Sequence, residues 1–107
     1  MKRLATLLLA ASTLPGTAAA ADAPADAQAL LRSNGCASCH QPDARNVGPS
    51  LRDIAARYKS DPQGAATLAA SIRNGSAGKW GGTAQMPAFA GIDEAKAKTL
   101  VDYILAQ

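Results

Sequence analysis

Four segments of the chain carry apolar residues three and four positions apart, which places them on one face of an α-helix. Turn-forming residues separate these segments, and no stretch shows the sustained alternation of apolar and polar residues that is typical of a strand. The apolar faces consist of Leu30 and Leu31; Leu51, Ile54, Ala55 and Tyr58; Ala65, Leu68, Ala69 and Ile72; and Ala97, Leu100, Val101, Ile104 and Leu105. The pattern predicts an all-α domain of about four short helices.

Local signals indicate where the predicted helices begin and end. Asp26 can cap the first helix, and Asn34-Gly35 is a typical stop. Asp61 and Pro62 fit the N-cap and the first position of the third helix, where these residue types are favoured. Asn74-Gly75 ends this helix. The fourth helix follows Asp93. These signals leave residues 75–92 as a long segment without regular structure.

The segment from Gly75 to Ile92 is rich in glycine, yet it contains Trp80, Met86 and Phe89, which a chain normally buries. A loop of this length in a small domain usually has a function or encloses something. Because glycine permits a close approach of the backbone to a ligand, we expect this segment to wrap around one.

The first twenty residues have the parts of a secretory signal peptide. Lys2 and Arg3 give a positive start, residues 4–14 are mainly apolar, and small residues follow up to a cleavage site after Ala20. A membrane anchor is the alternative, but the apolar stretch is too short, because a spanning helix needs about 20 residues. We expect cleavage of residues 1–20, export to a bacterial periplasm, and a domain at residues 21–107 without a membrane anchor.

The composition favours one small folded domain. A chain of 107 residues with 48% hydrophobic and 18% charged residues is not typical of disorder. There are 11 Lys and Arg against 8 Asp and Glu, and removal of Lys2 and Arg3 leaves 9 against 8. This near-neutral balance argues against nucleic-acid binding. Only 4% of the residues are aromatic, so we expect another large apolar group to complete the core.

The residues Cys36 to His40 read Cys-Ala-Ser-Cys-His, the C-x-x-C-H pattern by which a c-type haem is attached. The two-residue spacer places the sulfurs of Cys36 and Cys39 one helical turn apart, which matches the separation of the two haem vinyl groups. His40 is then directed at the iron as an axial ligand. The motif predicts one covalent haem c.

Three other interpretations of the cysteines are weaker. An exported protein can hold a disulfide, but here it would close a small loop and stabilise the fold little. A thioredoxin-like redox pair would need a βαβ unit, and no strand is predicted. A zinc ion would have only Cys36, Cys39 and His40 as ligands.

Met86 is the candidate for the second axial ligand of the iron. His40 is the only histidine, and Met86 is the only methionine left after removal of the signal peptide. A His/Met pair raises the reduction potential of a haem. The alternative is that Met86 only fills a gap in the core.

Five segments stand out together: Cys36–His40, Val47-Gly48-Pro49, Ile72-Arg73-Asn74-Gly75-Ser76, Gly78-Lys79-Trp80-Gly81 and Met86-Pro87. In this combination the chain resembles the small bacterial class I cytochromes c, the single-haem periplasmic electron carriers, from about Leu30 to Gln107. The haem motif occurs in every class of cytochrome c, whereas its combination with the Val-Gly-Pro and Gly-x-Trp-Gly segments is more specific. The resemblance implies the cytochrome c fold, with the helices wrapped around the haem.

The resemblance also implies roles for two further residues. The Pro49 carbonyl would accept a hydrogen bond from Nδ1 of His40 and fix the orientation of the imidazole. The indole N–H of Trp80 would donate to a haem propionate, the alternative being simple packing of the ring. The first and fourth helices would cross.

The chain departs from the family pattern in the loop and at one basic position. Gln85 precedes the candidate ligand, where related chains often have proline, and the stretch from Trp80 to Met86 is one residue longer. Ser71 stands where some members place a basic residue that holds a propionate. The candidates to replace that residue are Arg52, Arg73 and Lys79.

We therefore expect a one-electron carrier rather than an enzyme, with redox proteins such as a dehydrogenase, a reductase or a terminal oxidase as donors and acceptors. A ligand-binding or peroxidase-like haem protein would need an open sixth position, and Met86 counts against it. A distal catalytic histidine is excluded because His40 is unique. A subunit held permanently in a dehydrogenase remains an alternative.

Overall fold

The computed structural model describes residues 19–107, with side chains from residue 24 onward, so that most of the predicted signal peptide lies outside the described residues. Within this range the chain forms α1 (Ala19–Ser33), a 3₁₀ turn (Cys36–Ser38), α2 (Leu51–Tyr58), α3 (Gly64–Asn74), the short strands β1 (Ser76–Ala77) and β2 (Gln85–Met86), and α4 (Glu94–Leu105). The predicted all-α class is confirmed. None of the helices in the described part of the chain is both long and apolar enough to cross a membrane.

Helix α4 is the central element, because it packs against α1, α2 and α3. The predicted contact between the first and fourth helices is thereby confirmed, and Gln28 Nε2 donates to the Tyr103 hydroxyl at 3.4 Å where they meet. The buried core consists of Leu51, Ile54, Tyr58, Leu68, Ile72, Ile92, Ala97, Leu100, Val101 and Ile104. Most of the predicted apolar positions thus face the core, whereas Ala65 is exposed.

Side-chain caps start α2 and α4. Ser50 is 1% exposed, and its hydroxyl accepts a hydrogen bond from the Asp53 amide at 3.0 Å. Asp93 caps α4 as predicted, since its carboxylate accepts from the Lys96 amide at 2.9 Å. Each cap satisfies one of the first amides of its helix, which have no partner within the helix.

Two predicted helix starts are wrong. Helix α1 begins at Ala19 rather than at the Asp26 cap, because this stretch is rich in alanine, the strongest helix former. Helix α3 begins at Gly64 rather than at Asp61-Pro62. The Asp61 carboxylate accepts from the Gln63 amide at 2.8 Å, and its carbonyl accepts from the Gly64 amide at 2.9 Å. These bonds close a turn ahead of the helix.

Residues 75–92 are also more ordered than predicted. Strands β1 and β2 pair antiparallel, with Ser76 opposite Met86 and Ala77 opposite Gln85. At Gly75 the φ of 84° turns the chain out of α3, and a Cβ there would lie 2.9 Å from the Met86 carbonyl oxygen. Two-residue strands are too short to produce a visible alternation, so only the pairing reveals them.

Candidate functional site

A cleft opens between the 3₁₀ turn, the loop that precedes α2, and the segment that follows α3. It consists of two adjoining cavities of about 210 and 80 Å³, and both are lined by His40 and Met86. The smaller cavity reaches the core at Leu68 and Leu100. All six residues predicted for the site line the larger cavity: Cys36, Cys39, His40, Pro49, Trp80 and Met86.

The 3₁₀ turn places both cysteines and the histidine at this cleft. Gly35, with a φ of 69°, reverses the chain after α1. The amides of Cys39 and His40 then both donate to the Cys36 carbonyl, at 3.1 and 2.9 Å. The close succession of the three side chains therefore follows from one backbone turn.

His40 is oriented by the loop that precedes α2. Its Nδ1 lies 2.8 Å from the Pro49 carbonyl oxygen. Because a carbonyl oxygen only accepts, Nδ1 carries the hydrogen, and in the neutral imidazole Nε2 is then the nitrogen with the lone pair. The Gly48 amide donates to the Cys39 carbonyl at 2.9 Å, and a Cβ at Gly48 would lie 2.6 Å from Cε1 of His40. Only glycine, which has no Cβ, leaves enough space for the imidazole ring at this position.

Cys36 and Cys39 are half-buried and are not joined in a disulfide. Burial raises the pKa of the Cys36 thiol, a backbone hydrogen bond lowers this pKa by less, and the neighbouring Cys39 raises it slightly. Cys36 is consequently a neutral thiol at pH 7. Among the side chains of residues 24–107, no group of three or more His, Cys, Asp or Glu residues is arranged so that it could hold a metal ion, as the zinc interpretation would require.

Met86 reaches the cleft through the pairing of β2 with β1. It is half-buried, lines both cavities and also packs against the core. The Phe89 amide donates to the Ile72 carbonyl at 3.0 Å, which ties the chain after Met86 back to the end of α3. The thioether is thus brought to the same cleft as His40 by a different part of the chain.

Two arginines that the sequence reasoning missed hold the segment around Trp80. The guanidinium carbon of Arg57 lies 4.6 Å from the centroid of the Trp80 ring, and Nη1 donates to the Lys79 carbonyl at 2.7 Å. From the other side, Arg45 Nη2 donates to the Trp80 carbonyl at 3.2 Å. Both arginines are exposed. Arg57 lies on the polar face of α2 and Arg45 in the loop that precedes α2, so no sequence signal marks either of them.

The three candidates for the missing basic residue differ in position. Arg52 forms an ion pair with Asp43 at 2.8 Å, and Arg73 is exposed and does not line the cleft. Lys79 lines both cavities, and its Nζ donates to the Ser71 hydroxyl at 3.1 Å. Of the three, Lys79 is the one beside Ser71.

The residues present fit the predicted haem. The donors at the cleft are two thiols, an imidazole nitrogen with a free lone pair and a thioether, which are the groups that attach and ligate a c-type haem. Gly48 leaves room beside His40, and the smaller cavity extends among apolar side chains of the core. Lys79, Arg45 and Trp80 supply N–H donors at the rim.

Comparison with known proteins gives one consistent result. The family described as Cytochrome c matches residues 24–107. Cytochrome c-552 of Nitrosomonas europaea is 45% identical over 83 residues, which cover 78% of this chain and 79% of the relative. Cytochrome c-551 of Pseudomonas aeruginosa is 39% identical over 108 residues, which cover 100% of this chain and 99% of the relative. The crystal structure of wild-type Nitrosomonas europaea cytochrome c552 superposes with a TM-score of 0.69 at 42% identity. The superposition covers 74% of this chain and 96% of that structure's chain.

Proposed function

The chain belongs to the cytochrome c family, and on that basis we propose that it carries single electrons through a haem ligated by His40 and Met86. As a member of this family it is an electron carrier rather than an enzyme, and it binds one covalent c-type haem. We further propose that Cys36 and Cys39 form the two thioether bonds.

One observation carries this assignment of residues. The thiols, the imidazole and the thioether come from two distant parts of the chain, and the fold brings them to one apolar cleft. Nδ1 of His40 is occupied by the Pro49 carbonyl, so Nε2 is the nitrogen available to a metal. Among the described residues His40 and Met86 are the sole representatives of their types, and both are at the cleft.

When bound, the haem supplies an iron that alternates between Fe(III) and Fe(II). Cys36 and Cys39 tether this group to a short backbone turn, and Pro49 holds the His40 imidazole in one orientation. Met86 would supply the thioether that completes the ligand set of this iron, which would exclude external ligands and raise the reduction potential. Leu68 and Leu100 keep the inner end of the cleft apolar.

In this proposal Trp80 and Lys79 interact with the propionates at the polar edge of the haem. The indole N–H of Trp80 donates to a propionate, as a half-buried indole needs a partner. Lys79 provides a positive charge in place of the basic residue that Ser71 replaces, supported by its contact with Ser71 and by its place at both cavities.

We also propose that residues 1–20 are removed on export and that residues 21–107 act in the periplasm. In α1, Pro24 lies inside the helix when the helix begins at Ala19. Cleavage after Ala20 places Pro24 in the first turn, where the amide that proline lacks has no helical partner in any case. The N-terminal residue of the exported protein tests this, and Ala21 is the expected result.

The partners in this proposal are redox proteins of the same compartment, one that donates an electron and one that accepts it. An independently diffusing carrier purifies without a partner, whereas a permanent dehydrogenase subunit copurifies with its enzyme. Gel filtration of the native protein separates these two cases.

Absorbance spectra of the purified protein in both oxidation states, together with its mass, test the haem assignment. We expect a mass increased by one haem, low-spin spectra in both states and little binding of carbon monoxide when reduced. Rapid and tight binding of carbon monoxide by the unaltered protein would contradict firm ligation by Met86 and would favour a sensor or peroxidase.

A further inference from the structure

Arg57 and Trp80 form a stacked pair at the rim of the cleft. The guanidinium carbon of Arg57 lies 4.6 Å from the centroid of the Trp80 ring and 5.3 Å from that of the Tyr58 ring. Its Nη1 donates to the Lys79 carbonyl at 2.7 Å. Arg57 therefore contacts both the ring of Trp80 and the backbone immediately before it.

The segment that Arg57 contacts has open space on both flanks. Gly78, Gly81 and Gly82 have φ angles of 75°, 76° and 71°, and a Cβ added at any of them would meet no atom within 4 Å. The indole ring otherwise meets the edge of Tyr58, at a centroid distance of 6.4 Å. The guanidinium of Arg57 is thus the charged group that contacts the ring of Trp80, whereas Arg45 contacts its carbonyl.

The charge of Arg57 is not used in an ion pair. Within residues 24–107 the ion pairs join Arg52 to Asp43 and Lys98 to Asp102. The other cationic groups near Trp80 are Arg45, bound to its carbonyl, and Lys79, bound to Ser71, and no acidic residue of this range lines the cleft. A planar guanidinium can stack on a ring and donate a hydrogen bond at the same time, which an ammonium does poorly.

From these contacts we infer that Arg57 is a positioning residue for Trp80. It holds the plane of the indole ring, so that the Nε1–H stays available to the haem carboxylate. This inference rests on the proposed function, because the carboxylate belongs to the proposed haem. Arg57 itself does not line either cavity of the cleft.

The first test uses the indole N–H as a reporter. Trp80 is the only tryptophan, so the reduced holoprotein gives one indole N–H signal in proton NMR spectra. We expect Arg57→Gln to accelerate exchange of this proton with solvent by about ten-fold, because both the stacking and the hydrogen bond are lost. Arg57→Lys should give an intermediate rate. Arg52→Gln, the same charge change on the same helix, should leave the rate unchanged, and equal rates in both Gln variants would overturn the inference.

The second test asks whether Arg57 acts through Trp80. The reduction potential should change with pH around the pKa of the haem carboxylate, which gives a step in its pH dependence. Loss of the indole donor raises this pKa, so in Arg57→Gln the midpoint of the step should move up by about one pH unit. In a Trp80→Phe background the same substitution should cause no further movement. An equal movement in both backgrounds would show that Arg57 acts as a distant charge and would overturn the inference. Arg45 and Lys79 are unchanged in all four proteins.

The outcomes separate this inference from the proposed function. Absence of covalent haem in the unaltered protein contradicts the proposed function itself. If haem is bound but Trp80→Phe leaves the pH step in place, the role of Trp80 is wrong, and the inference falls with it. If Trp80→Phe moves the step and Arg57→Gln does not, only the role of Arg57 is wrong. Thermal melting identifies variants that fail to fold. If Arg57→Gln is one of them, the exchange rate and the pH step are measured on Arg57→Lys instead.

Discussion

The carbonyl oxygen of Pro49 lies 2.8 Å from Nδ1 of His40, and the residue before that proline is a glycine whose backbone runs against the imidazole ring. The two features act together, since the hydrogen bond selects one orientation of the ring and Gly48 leaves room for it. Ser50 follows at once and caps α2. The orientation of the candidate ligand is therefore linked to the start of a core helix.

Gly48→Ala should disturb this arrangement. The added Cβ would lie 2.6 Å from Cε1 and 3.0 Å from Nδ1 of His40, so the imidazole must move. We expect a loss of about 1–3 kcal/mol in the free energy of unfolding, together with a changed haem spectrum. Gly91→Ala is the control, because nothing lies within 4 Å there. Denaturant unfolding of both holoproteins measures the difference, and equal stability would contradict the proposed contact.

Cys36→Ala combined with Cys39→Ala should abolish covalent haem and leave the chain largely unfolded. The apolar core of this small domain then lacks the large group that completes it. Mass and far-ultraviolet circular dichroism report the two effects. Ser38→Ala, at an exposed position within the same turn, should keep both haem and fold. A double variant that still melts cooperatively as a compact helical protein would contradict the role of haem as part of the core.

Met86→Ala should leave the thioether bonds and most of the helix content intact while opening the iron to external ligands. We expect a lower reduction potential, loss of the weak red absorption band of Fe(III)–methionine bonding, and binding of carbon monoxide. Met86→His should restore six-coordination at a potential below that of the unaltered protein. Thr83→Ala, exposed in the same loop and away from the cleft lining, is the matched control. An unchanged red band in Met86→Ala would show that another group binds the iron.

Ser50→Ala should remove the cap of α2. The hydroxyl of Ser50 accepts from the Asp53 amide at 3.0 Å in a site that is 1% exposed, so water replaces it poorly. We expect the free energy of unfolding to fall by about 1 kcal/mol with the haem spectrum retained. Ser60→Ala, at an exposed position beyond the end of α2, should change the stability little. A comparable loss in both variants, measured by denaturant unfolding, would contradict the capping role.

The sequence alone determined the elements that depend on neighbouring residues. Helical periodicity located four helices and most of the core, because an amphipathic helix repeats its apolar positions within a few residues. The C-x-x-C-H motif is likewise local. Elimination identified Met86 as the candidate for the second axial ligand, because the chain has few residues of a suitable type. The predicted starts at Asp26 and Asp61 failed because a residue that can cap a helix can also lie within a helix or close a turn.

The tertiary structure decided which distant residues meet. The pairing of Ser76 with Met86 bridges ten positions of glycine-rich chain, and two-residue strands carry too little pattern to be detected beforehand. Arg57 reaches Trp80 because Tyr58, its neighbour in α2, is buried against the same part of the fold. Polar residues at helix surfaces have no periodic signature for their partners, so contacts of this kind depend on how the elements pack.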